Sequence, residues 1–222
     1  MVNLLISFQK CDIRPTWAEV NTANIASNLK YIKGLLPQDT QIMAVVKANA
    51  YGHGAVECAM VALENGASYL GVSIMEEGIE LRRAGIAAPI LILGHIFPWN
   101  AREAVKLGLT CMVATLDLAE SLSSAAMSLG KKAKVHVKVD TGMGRIGLSP
   151  EEVLNFVTMI YKLPGLEIEG ICSHLGTCLL YTSCQGRGRC QRRRRDTGQG
   201  HRNRQAGKNK PVAQRAASKG LI

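Results

Sequence analysis

Between residues 41 and 174 the apolar positions switch repeatedly between two periods. The runs "QIMAVVK" (41–47), "YLGVS" (69–73), "PILILG" (89–94), "CMVAT" (111–115), "KVHVKVD" (134–140) and "LEIEGICSH" (166–174) are short and branched, which predicts six mostly buried strands. Helical periods lie between them. "GAVECAMVALENGA" puts Val56, Met60 and Leu63 on one face and closes near Gly66. "MEEGIELRRAG" has its acids early and its arginines late, as the helix dipole favours, and stops at Gly85. "LDLAESLSSAAMSLG" ends on Gly130, and "SPEEVLNFVTMIYKLPG" predicts Ser149 as N-cap with Pro150 at the first helical position. Ahead of the first strand, "TANIASNLKYIKGLLP" is an amphipathic helix with Ile25, Leu29, Ile32 and Leu36 in register. Six strand–helix alternations with short loops predict an α/β fold on a parallel sheet. A barrel needs eight such units and a doubly wound sheet five or six, so the count leaves both open.

After Thr177 all periodicity stops, and Tyr181 is the one aromatic residue that follows. That composition cannot bury enough apolar surface to offset ordering, so disorder is expected over 178–222. Charge divides at the same point. Residues 178–222 hold 12 Lys/Arg against one acid, whereas residues 1–177 hold 15 against 16. The net charge of +10 therefore belongs to the tail. "GRGRCQRRRR" would bind phosphate backbones through charge alone, with no recognised module, so no specific nucleic-acid partner is expected. The seven cysteines form no CxxC pair and match no zinc spacing. Reduced thiols, no metal, no membrane partner and a cytoplasmic location are the expectations.

Candidate chemistry gathers at strand ends. Lys47 closes "AVVKANAYGHG", and the carboxyl ends of parallel strands are where α/β folds collect their sites. A partly desolvated amine there is a usable nucleophile for an aldehyde, with Tyr51 close by and Gly52 and Gly54 allowing the backbone to turn. The competing reading is a solvated lysine in a βα loop. In "KVDTGMGRIGLSP" the spacing G-x-G-x-x-G resembles a dinucleotide fingerprint, but Ser149-Pro150 would start the helix after the last glycine. Arg145, within that loop, can donate to a phenolate or carboxylate. Lys138 precedes Asp140 by two and shares its face, with an ion pair as its plainer role. His174 ends the sixth strand. If the strands share one sheet, Lys47, Arg145 and His174 surround one mouth.

These residues carry a resemblance. "RPTWAEVN", "AVVKANAYGHG", "EEGIELRRAGI", "PILILG", "VHVKVDTGMGRIG" and "EGICSHLGT" together resemble the N-terminal part of bacterial alanine racemase, from Arg14 to Thr177. The resemblance implies a pyridoxal 5'-phosphate enzyme, an isomerase that interconverts L- and D-alanine for the cell wall. Its fold would be an α/β, (βα)8 TIM-type barrel, here incomplete with about six βα units and without the family's C-terminal β domain. By motif, Lys47 would form the Schiff base and act as one catalytic acid–base. Tyr51 would lie near the cofactor phosphate. Arg145 would bond the cofactor's phenolic oxygen and the substrate carboxylate. Lys138 matches a lysine that is often carboxylated and positions that arginine, and His174 would pack beside the pyridine ring.

The resemblance further implies a small amino-acid substrate and a homodimer whose partner supplies an opposite-face tyrosine. That tyrosine, the serine loop for the phosphate and the last two barrel strands have no counterpart after Thr177. The chain as given is thus expected to be a truncated fragment without racemase competence, its dimer compromised. Residues 1–13 are expected to be an N-terminal extension, 14–177 the partial barrel and 178–222 a tail of non-native origin. The alternatives are a non-catalytic carrier of the same cofactor and a racemase for serine or basic amino acids.

Overall fold

The computed structural model describes residues 18–175. The described residues form two units, divided between Gly94 and His95. The strands expected at 41–47, 69–73 and 89–94 form in the first unit as β1 (Ile42–Val45), β2 (Ala67–Val72) and β3 (Ile90–Ile92). They pair in parallel and in chain order. Helices α1 (Thr22–Leu35), α3 (Ala55–Glu64) and α4 (Met75–Arg83) accompany them, and a short helical segment, α2 (Lys47–Gly52), follows β1 directly. Ile90, Leu91 and Ile92 are at most 1% exposed, as expected for a parallel strand covered on both faces. Each such side chain contributes roughly 1.5–3 kcal/mol by leaving water.

In the second unit, β4 (Thr110–Val113), β5 (Ala133–Val139) and β6 (Leu166–Ser173) are again parallel neighbours in chain order. They alternate with α5 (Ala101–Lys106), α6 (Leu116–Leu129) and α7 (Val153–Ile160). Gly130, at φ 61°, ends α6 with a left-handed cap that lets Lys131 N–H reach Ala126 O at 3.0 Å. Along β5, Val135, Val137 and Val139 occupy one face, and Lys134, His136 and Lys138 the other.

Two local expectations are corrected, and one element is new. The face of α3 that is buried is the one bearing Ala55, Cys58, Ala59 and Ala62, while Met60 is exposed. Small side chains let α3 approach its neighbours closely, which outweighs the bulk on the other face. Ser149 does not cap α7, which starts at Val153. Instead Glu152 accepts both the Ser149 amide (2.9 Å) and hydroxyl (2.7 Å), holding 149–152 as a turn. The helix α5, entered through a 3-10 turn at Pro98–Asn100, has no counterpart among the predicted elements, being only six residues long. The extension at 1–13 and the tail at 178–222 lie outside the described residues.

Candidate active site

In the first unit Lys47 follows β1 by two residues and is half-buried. The four residues after it leave ordinary helical space. Ala48, Asn49, Ala50 and Tyr51 all hold φ between 50° and 55°, one turn of left-handed helix without a glycine. Each costs about 1–2 kcal/mol because Cβ crowds the carbonyl oxygen. The turn folds Tyr51 back, so that Lys47 Nζ lies 5.9 Å above its ring centroid.

Hydrogen bonds hold this conformation. Ala48 N–H donates to Glu77 Oε1 at 2.7 Å. The other oxygen of Glu77 accepts the Ser73 and Ile74 amides at the start of α4, at 2.6 and 3.2 Å. Asn49 receives the Ala55 amide on its side chain (2.8 Å) and the Gly54 amide on its carbonyl (3.0 Å). A cavity of about 390 Å³ in this unit is lined mainly by apolar residues of α1, β1 and α3, including Ile25, Leu29 and Ala44, with Asn28 and His53 among the polar ones. Lys47 and Tyr51 are not among its lining residues.

In the second unit the glycine-rich segment leaves β5 and returns to it. Leu148 N–H donates to Lys138 O (2.9 Å) and Asp140 N–H to Leu148 O (2.8 Å), closing a loop over 140–147. Inside it, Asp140 Oδ1 accepts the amides of Gly142 (2.9 Å) and Met143 (2.8 Å). The Gly142 amide, followed by that of Gly144, holds the Asp140 carboxyl below the usual aspartate range. Arg145 is exposed at the loop's tip. Lys138 is buried, its ammonium donating to Val139 O at 3.1 Å. The plainer expectation of an ion pair at the strand end gives way to this carbonyl contact, since the nearby Asp140 carboxylate is taken up by loop amides.

His174 stands one residue beyond β6 and is exposed. Thr141 links it to the loop, its hydroxyl lying 2.7 Å from Ser173 Oγ and donating to His174 O at 3.3 Å. Cys172 is the cross-strand partner of Lys138. Burial pushes its thiol up, and the Lys138 charge opposes that.

Lys47 and Tyr51 are thus brought together in the first unit, and Lys138 is brought to the base of the Arg145 loop in the second, with His174 linked through Thr141. Each group sits at the carboxyl end of a parallel strand of its own unit. Glu77, Asn49 and Thr141 are additions that the sequence reading missed. Glu77 carried a signal, an acid three residues into a helix, but that signal speaks of a cap and not of a contact 29 residues earlier. Among the described residues no group of His, Cys, Asp or Glu could hold a metal ion, and no helix is long and apolar enough to cross a membrane.

The family model "Alanine racemase, N-terminal domain" matches residues 20–221. Among curated relatives, an alanine racemase of Desulforamulus reducens is 49% identical over 164 residues, 73% of this chain and 44% of that protein. One of Clostridium perfringens is 51% identical over 167 residues, 74% of this chain and 43% of that protein. Among solved structures, alanine racemase of Clostridium difficile 630 superposes with a TM-score of 0.71 at 44% identity, covering 73% of this chain and 43% of that one. A histidine racemase of Leuconostoc mesenteroides does so with a TM-score of 0.64 at 31% identity, covering 69% and 41%. The chain therefore spans less than half the length of the relatives it matches. The expected fold class, α/β and a partial barrel, is what these similarities and the six parallel, in-order strands alternating with helices show.

Proposed function

The chain belongs to the alanine racemase family through its N-terminal domain, and on that premise we propose that it supplies one of the two acid–bases for the interconversion of L- and D-alanine, with pyridoxal 5'-phosphate held at Lys47. The observation that carries the proposal is Lys47 itself: a half-buried amine at the end of a parallel strand, on a backbone turn held against its conformational cost. The donor set suits the cofactor chemically. In the first unit a primary amine matches its aldehyde and the Tyr51 hydroxyl its phosphate, and the family resemblance assigns the Arg145 guanidinium to its phenolic oxygen and the His174 ring to its pyridine face. When bound, the cofactor takes up negative charge from the amino acid and so makes the α-proton acidic.

The protein's part is to bind, orient and move that proton. Lys47 Nζ holds or returns it on one face of the substrate. Racemisation needs a second acid–base on the opposite face, which the family resemblance assigns to a tyrosine of a partner subunit in a homodimer. Arg145 orients the substrate carboxylate through its planar fork. Lys138 supports that arginine: its amine, once deprotonated, could add to carbon dioxide and release a second proton, leaving a carbamate anion able to pair with the guanidinium.

Alanine is favoured as substrate because the relatives near 50% identity are alanine racemases. In heavy water with pyridoxal 5'-phosphate, the chain should exchange the α-proton of alanine faster than that of serine or lysine, and Lys47→Ala should lose the exchange. Cofactor held at Lys47 without exchange of any amino acid would overturn the racemase reading in favour of a carrier.

A further inference from the structure

We propose that Glu77 is a positioning residue for Lys47, tying the left-handed turn that follows the lysine to the amino end of α4. The inference deepens the reading above and rests on it for the cofactor, while the clamp involves only groups of this chain. A helix cap needs one acceptor, and Glu77 Oε2 fills that role by taking the Ser73 and Ile74 amides. Oε1 is left over for Ala48 N–H, at 2.7 Å the first amide after Lys47. A carboxylate is the side chain that offers two acceptor oxygens at once; glutamine would turn an N–H₂ donor toward an amide donor.

The far end of the turn is pinned separately, by Asn49 to Ala55 and Gly54 and by the His53 ring nitrogen Nδ1, 2.8 Å from Ala50 O. Between these two anchors lie four residues whose φ values disfavour L side chains. Without Glu77 the turn has a route to relax toward ordinary space at its lysine end. Lys47 Nζ would then lose the direction that its backbone gives it. The same carboxylate also joins the end of β1 to the end of β2 through Ser73, so the lysine is referenced to the neighbouring strand.

The test compares Glu77→Gln and Glu77→Asp with the wild-type 222-residue chain. Aspartate, one methylene shorter, retains the cap and loses Ala48. The readouts are amide hydrogen exchange of the segment 47–52, thermal midpoint, and spectrophotometric titration with pyridoxal 5'-phosphate. Both variants should exchange the segment about ten-fold faster, the scale of one hydrogen bond to a charged group, and load the cofactor about ten-fold more weakly. Glu77→Asp should keep the thermal midpoint within a few degrees. Adding Ala48→Gly to Glu77→Gln should recover loading, because glycine enters left-handed space without a Cβ penalty.

Unchanged exchange and unchanged loading in both variants would overturn the proposal. So would loading that falls only in step with the thermal midpoint and is not recovered by Ala48→Gly. If the wild-type chain failed to load the cofactor at all, the functional reading would fall, and faster or unchanged exchange of 47–52 would still decide for or against the clamp.

Discussion

Gly147 shows how a single backbone position sets the candidate site. Its φ is +125°, and a Cβ there would lie 2.7 Å from Asp140 N and 2.9 Å from Val139 C, which are backbone atoms that cannot yield. Gly147→Ala should therefore loosen the loop that carries Arg145, at a cost of about 1–3 kcal/mol. Urea denaturation would measure the loss, and faster exchange of the Leu148 amide would locate it. The thiol of Cys111 is another residue-scale case. Burial pushes it up to about 12, so iodoacetamide at pH near 8 should modify it only when the chain unfolds. Lys47, Arg145 and His174 could be picked out from sequence because strand ends are visible in the apolar pattern. Glu77 could not, because its second hydrogen bond depends on a backbone turn that no residue in "KANAYG" announces.

At the scale of elements, β5 and β6 carry a polar cluster around the buried His136 whose pH dependence can be worked out. His136 is buried, opposite Gly170, where a Cβ would come within 3.2 Å of the imidazole. Its Nε2 lies 3.3 Å from Glu169 Oε2, and Glu169 also receives Lys134 Nζ at 2.7 Å. Burial lowers the His136 pKa, and the Glu169 hydrogen bond opposes this only in part. The unfolded chain thus binds a proton at higher pH than the fold does. Stability from His136 is present above the ordinary imidazole value of about 6.5 and is lost as pH falls below it toward the lowered value. Denaturation midpoints compared at pH 7.5 and 5.5 should drop for the wild type and drop less for His136→Gln. The strands themselves were legible, since branched apolar runs bounded by glycine leave few alternatives. Helix faces were less so. In α3 bulk suggested Met60, whereas close packing selects the alanines, and α5 is too short to show a period.

For the whole molecule, the combination of motifs at strand ends identified the family from sequence, and six parallel strands in chain order, alternating with helices, agree with it. What sequence could not supply is the relation between the segment after Lys47 and its hydrogen-bonding partners, which arises only once parallel strands align their carboxyl ends. The central claim is that Lys47 is the lysine that holds pyridoxal 5'-phosphate. Borohydride reduction of the full chain with the cofactor, followed by peptide mapping, tests it most directly. The account requires one phosphopyridoxyl group per chain on the peptide containing Lys47, absent from Lys47→Ala. Label spread over surface lysines, or concentrated on any residue other than Lys47, would contradict it.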